Sequence, residues 1–243
     1  GDWCKELEGA TAVINLCGKS VDCRYTERNK AEIFSSRLDS TKIIGEAIQN
    51  CKIPPQVWFN GASATIYRHS LDTPMTETTG EIGTGFSVEV CKAWEKVFND
   101  FTLPATRKIN LRNSMVMGKT GGVFPALINL VKKGLGGTLG KGNQQVSWVH
   151  IDDFCNMMDW FLEHEQCSGV YNIVAPTPIQ NNILMKLLRK KVGMPFGLPA
   201  SSWMLEFGAI FMRTETELVL KSRYAVPERL LNEGFHFKHP TVA

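Results

Sequence analysis

At 243 residues, with 43% hydrophobic and 21% charged side chains, the chain is long enough for one large α/β unit plus a small appended lobe. Its 27 basic and 24 acidic residues leave a net charge of +3, and basic runs such as Lys132-Lys133 and Arg189-Lys190-Lys191 are too short for a nucleic-acid footprint. The apolar stretch over residues 203–211 carries a glutamate and is far shorter than the roughly 20 residues that span a bilayer, so neither membrane span nor signal peptide is expected.

The seven cysteines are odd in number and form no Cys-x-x-Cys pair, which disfavours a disulfide framework and points to a reducing cytoplasm. Of the five histidines only His236 and His239 are close in sequence, without acidic or cysteine partners, so no metal site is expected.

In chain order, residues 11–16 form a short β-branched run ended by Cys17-Gly18, which reads as a buried parallel strand. Residues 27–50 carry Ile33, Leu38, Ile43, Ile44, Ala47 and Ile48 at helical spacing until Pro54-Pro55 forbids continuation. Residues 57–60 begin a second strand, 86–101 are an amphipathic helix, and 107–117 are extended. A helix over 121–133, an extended segment over 145–151, a helix capped by Asp152 and running to about His164, a strand over 170–174 and a helix over 181–192 follow. Strands alternating with helices of this length make βαβ units, hence a mostly parallel α/β sheet covered on both faces. After Gly197-Leu198-Pro199 the pattern changes to helical pieces at 203–211 and 215–221 and a terminal Gly-Phe-His-Phe-Lys segment. The expected division is therefore a sheet domain over 1–197 and a small lobe over 198–243, packed over the carboxyl edge where open α/β sheets bind ligands.

The ordered series Asn15-Leu-Cys-Gly18, Ser36-Arg-Leu-Asp-Ser-Thr41, Ser63-Ala-Thr-Ile-Tyr67, Trp94-Glu95, Leu111-Arg112, Gly134-Leu-Gly-Gly137, Trp148-Val-His-Ile-Asp-Asp153, Tyr171-Asn172 and Thr214-Glu-Thr-Glu217 through Pro227-Glu-Arg-Leu230 resembles the epimerase-family atypical extended short-chain dehydrogenase/reductases. The resemblance covers essentially the whole chain, and the segment from about Leu198 resembles that family's own C-terminal domain of unknown function. It implies a Rossmann-like, doubly wound parallel sheet and an NAD(P)(H)-dependent oxidoreductase or epimerase-like activity on an unknown small molecule. NADP(H) is the implied cofactor, with NAD(H) as the second choice. Such proteins open with a Gly-x-x-Gly-x-x-Gly turn that lets the backbone approach the pyrophosphate. These 243 residues contain no such turn, so the first βαβ portion is expected to be missing and the chain to be part of a longer gene product that binds NADP(H) far more tightly.

By the same resemblance, Asn15, Leu16, Cys17 and Gly18 border the cofactor, Lys92 contacts its ribose, and Arg112 binds near it. Ser63 occupies the place of the catalytic serine, where its hydroxyl would stabilise charge on a substrate oxygen. The superfamily's Tyr-x-x-x-Lys acid/base pair is not intact. Counting from residues 63–67 the two positions fall on Val88 and Lys92; counting from Glu95 they fall on Ser87 and Cys91. Tyr67 and Lys92 are thus the remaining candidates for proton transfer beside Ser63. Arg24, Arg37 and Arg112 are candidates for phosphate or carboxylate. Residues 134–147 would cover the substrate with Trp148 as a wall, and His150 is expected to be structural. Where nucleotide-sugar epimerases have a diphosphate-binding arginine stands Val146, which argues against a UDP-sugar. The competing expectation is a non-catalytic NADP(H) sensor or interaction module, with a homodimer surface on the C-terminal lobe.

Overall fold

The computed structural model describes residues 2–201 and 220–242. A 3-10 turn, Asp2–Leu7, precedes β1 (Ala12–Asn15), α1 (Glu27–Gln49), β2 (Val57–Ser63), α2 (Phe86–Asp100) and β3 (Arg107–Asn113). Then come β4 (Met115–Met117), α3 (Val123–Lys132), β5 (Gln145–Val146), β6 (Trp148–His150), α4 (Ile151–Glu163) and β7 (Gly169–Ile173). The chain continues through β8 (Ile179–Gln180), α5 (Asn181–Val192) and α6 (Glu228–Asn232). The helical pieces expected at 203–211 and over most of 215–221 lie outside the described residues.

Four strands form a wholly parallel sheet in the order β1-β2-β3-β7, with β4–β6 as a parallel pair and β5–β8 as an antiparallel one. Successive residues of β2 point to opposite faces, and both faces are covered. Trp58 packs with Ile48 of α1 and Phe98 of α2. Val57 and Phe59 pack with Met157 and Phe161 of α4, and with Leu230 and Phe235 of the C-terminal segment. That segment therefore shares the core of the sheet.

Two local expectations need correction. In β1, expected to be buried, Val13 and Asn15 are buried while Ile14 is half-exposed, and among the described residues β2 is its one neighbour. The cap of α4 is His150, whose Nδ1 accepts the Asp152 N–H at 3.1 Å, rather than Asp152.

Candidate functional site at the carboxyl edge of the sheet

The site begins with a buried polar knot that fixes the end of β1. Asn15 donates from Nδ2 to Asn60 Oδ1 (2.8 Å) and Thr41 Oγ1 (3.2 Å), and Trp94 Nε1 donates to the same threonine oxygen at 2.9 Å. Its own Oδ1 accepts the Cys17 N–H at 3.1 Å and so shapes the turn. Gly61 lets the layers meet: a Cβ there would stand 2.9 Å from the Trp94 ring and 3.3 Å from the Asn15 carbonyl. Asn15 is thus sequestered as scaffold, whereas Leu16, Cys17 and Gly18 are exposed past the strand end.

Ser63 ends β2 opposite Asn113, the end of β3. Its Oγ accepts the Thr65 N–H at 3.2 Å and caps a 3-10 turn over Ala64–Ile66. Among the described residues its hydroxyl proton has no acceptor, and Asn113 Oδ1 is a buried acceptor without a donor. A cleft of about 550 Å³ opens beyond this turn, lined by Arg68, His69, Ile82, Gly83, Thr84, Leu220 and Lys221. Lys221 Nζ donates to the Thr65 carbonyl at 3.2 Å and Arg223 Nε to Thr65 Oγ1 at 3.1 Å, so the C-terminal segment borders the same edge.

Four further expected site residues have well-defined surroundings. Arg112 is buried in a bidentate pair with Glu95 (Nε–Oε1 2.7 Å, Nη2–Oε2 2.8 Å) and donates from Nη1 to the Tyr67 hydroxyl at 2.8 Å. Burial opposes the guanidinium charge, but the Glu95 carboxylate and Tyr67 outweigh it and hold the arginine firmly protonated. The Tyr67 hydroxyl lies 2.9 Å from Asn172 Oδ1, and burial raises its pKa against the pull of Arg112. Arg112 and Tyr67 are therefore committed to each other in the interior, where burial holds the Tyr67 hydroxyl protonated. Lys92 is exposed and ion-paired with Glu89 at 3.0 Å. Trp148, expected as a substrate wall, is core: it is buried and donates to the Thr177 carbonyl at 3.0 Å.

Both positions that the superfamily tyrosine would take lie among the described residues. Val88 is fully buried against Ala64, Ile66 and Tyr67. Ser87, the alternative position, lies 3.3 Å from the hydroxyl of Tyr25, which arrives from the loop before α1 and stacks edge-on against Phe86. No spacing rule connects residues 25 and 87, which is why sequence reading missed this phenol. Cys91, beside them, is buried and its thiol is pushed up to about 12, chiefly by desolvation, so it is an inert core thiol rather than a nucleophile.

The fold also gathers His150, Asp152 and His239, a trio that sequence spacing concealed because 87 positions separate Asp152 from His239. The two imidazoles lie 3.9 Å apart, and Lys238 Nζ sits 2.9 Å from Asp152 Oδ2, already placing a cation on that carboxylate. Burial and the charge on His239, with a smaller push from Lys238, depress the His150 pKa against the opposing pull of Asp152 and Asp153. The unfolded chain then binds the proton first, so stability present above about 6.5 is lost as pH falls toward the lower folded value. Urea midpoints are expected to drop between pH 7.5 and 5.5, and His150→Asn, which keeps a capping oxygen, should flatten part of that slope.

Against known proteins, residues 2–174 match the family described as NAD dependent epimerase/dehydratase. The chain belongs to this family. Residues 200–243 match a domain of unknown function, DUF1731. Among epimerase family relatives, SSP1921 of Staphylococcus saprophyticus is 31% identical over 241 residues, covering 99% of this chain and 80% of that protein. YfhF of Bacillus subtilis is 29% identical, covering 97% and 76%. The crystal structure of human epimerase family protein SDR39U1, isoform 2, with NADPH superposes with a TM-score of 0.89 at 26% identity, over 97% of this chain and 80% of that one. The epimerase-family, Rossmann-like architecture and its DUF1731 segment accordingly agree with the expectations from the sequence. No helix among the described residues is long and apolar enough to cross a membrane.

Proposed function

We propose that this protein is an NADP(H)-dependent oxidoreductase or epimerase-like enzyme acting on a small carbonyl or hydroxyl compound, with Ser63 as the hydrogen-bond donor to the reacting oxygen. The observation that carries this reading is the uncommitted Ser63 hydroxyl proton at the end of a central parallel strand, with its acceptor side engaged by Thr65. NADP(H) is preferred because the human relative of TM-score 0.89 was solved with NADPH. The residues present fit a dinucleotide: Leu16, Cys17 and Gly18 offer an exposed edge, and Asn113 Oδ1 is a buried acceptor without a donor among the described residues. When bound, the nicotinamide would supply hydride transfer; the protein's part is to hold the substrate oxygen at Ser63 and to provide a proton. Tyr25, the phenol beside Ser87, replaces Tyr67 in that role, and neither Lys92 nor Arg112 is included in the site. Val146 in β5 remains the argument against UDP-sugars.

The test is to titrate the complete gene product with NADPH and NADH by nicotinamide fluorescence, then follow NADPH oxidation over a panel of small aldehydes and ketones. Tight NADPH binding with slow turnover of a panel member is the expected result. Binding without turnover of any member would favour a non-catalytic sensor, a second reading supported by the burial of Val88 where a tyrosine would stand. No binding of either nucleotide would end the proposal.

A further inference from the structure

Arg37, on the inner side of α1, is a partly buried guanidinium with no carboxylate partner among the described residues. Its position is fixed on three sides. Nη1 donates to the carbonyls of Lys19 and Ile33, each at 3.1 Å, which uses both of its hydrogens. The guanidinium carbon lies 5.2 Å from the centroid of the Trp94 ring, so the plane rests on an aromatic face. Gly18 closes the third side: a Cβ at that residue would stand 3.0 Å from the guanidinium carbon, so the arginine packs directly against the loop that follows β1.

What remains is the Nε–Nη2 edge. Its three N–H groups have no protein acceptor among the described residues, and this edge matches two oxygens of one carboxylate or phosphate. The nearby carboxylates are engaged elsewhere, Glu95 with Arg112 and Glu32 with Lys19 and Arg28. The groups that do sense the Arg37 charge are the Cys91 thiol and the Tyr25 hydroxyl, both ordinarily neutral near pH 7. Desolvation works against this charge, whose pKa is lowered for that reason, and a charge withdrawn from water is normally compensated by a partner of opposite sign. Across the edge, Lys221 and Arg223 reach Thr65, and Cys91 feels both of them together with Arg37, so positive potential converges here from two parts of the chain.

We infer that Arg37 is an oxyanion receptor: its Nε–Nη2 edge, held against Gly18 and Trp94, binds a phosphate or carboxylate group of the ligand at the carboxyl edge of the sheet. The inference needs that edge to be the ligand edge and does not depend on which nucleotide is used. The oxyanion comes either from a dinucleotide phosphate or from an acidic substrate, and the two sources give different results.

Arg37→Met and Arg37→Lys are made in the complete gene product, and far-UV circular dichroism together with urea midpoints confirms that each folds. Pyrophosphate, malonate, NADPH and NADH are then titrated against wild type and variants, the simple anions by thermal shift and the nucleotides by fluorescence. Pyrophosphate or malonate is expected to raise the wild-type Tm and to lose most of that effect in Arg37→Met. Arg37→Lys should recover little, because a point charge does not reproduce the two-pronged edge. If the oxyanion belongs to the cofactor, Arg37→Met weakens NADPH or both nucleotides by about tenfold or more. If it belongs to an acidic substrate, nucleotide affinity holds while the anion-induced shift disappears. Unchanged anion shifts together with unchanged nucleotide affinity in Arg37→Met overturn the inference. A wild type that binds pyrophosphate or malonate through Arg37 but neither nucleotide leaves it standing and removes the cofactor proposal instead.

Discussion

Glu95→Ala is expected to destabilise the protein by about 3–5 kcal/mol, because it strands the Arg112 guanidinium in the interior without its bidentate partner. Arg112→Met should cost a comparable amount by leaving the Glu95 carboxylate unpaired and the Tyr67 hydroxyl without its donor. The pair replaced together, Glu95→Leu with Arg112→Met, should be far closer to wild type than the sum of the single changes. The desolvation penalty of two charges then vanishes along with their attraction. Urea unfolding of the four proteins measures this directly. Strict additivity would mean that the pair is hydrated in solution and does not act as a buried unit.

Ser63→Ala is the second large effect. Loss of one positioned donor to a developing oxyanion lowers turnover by about 100- to 1000-fold. The same change removes the cap on Thr65, a structural loss of about 0.5–2 kcal/mol that a Tm measurement detects separately. The distinguishing result is therefore a fall in kcat with NADPH affinity intact and the folded fraction near unity. Tyr25→Phe should depress turnover by about 100- to 10,000-fold if its phenol supplies the proton, whereas Tyr67→Phe should act mainly on stability. A Ser63→Ala protein with unchanged kcat would remove the serine from the chemistry.

Much of the fold was legible because it rests on local signals. The helical spacing of residues 27–50 and the tight apolar runs at 57–60 and 170–174 needed no knowledge of distant partners, and the corresponding elements are α1, β2 and β7. The apolar run of β1 likewise marks a strand, with Val13 and Asn15 buried. The site was harder to read. Ser63 is placed after a strand by the family resemblance, and it does end β2. Sequence did not show the burial of Arg112, a candidate by resemblance, and of Tyr67, a candidate acid, because their partners Glu95 and Asn172 stand 17 and 105 positions away. Tyr25 beside Ser87 escaped notice for the same reason, since 62 positions separate them.

Asp153 lies fully buried at the start of α4 and accepts the backbone N–H groups of Lys238 and His239, each at 2.8 Å. During synthesis this carboxylate emerges some 85 positions ahead of its donors, and Leu230 and Phe235 reach the Phe59–Phe161 layer equally late. The growing chain can pair its parallel strands early, but it closes this layer only once residues 230–239 have left the ribosome. Until then it carries an exposed apolar face and a carboxylate awaiting its donors, the condition in which nascent α/β chains are most open to chaperones and to self-association.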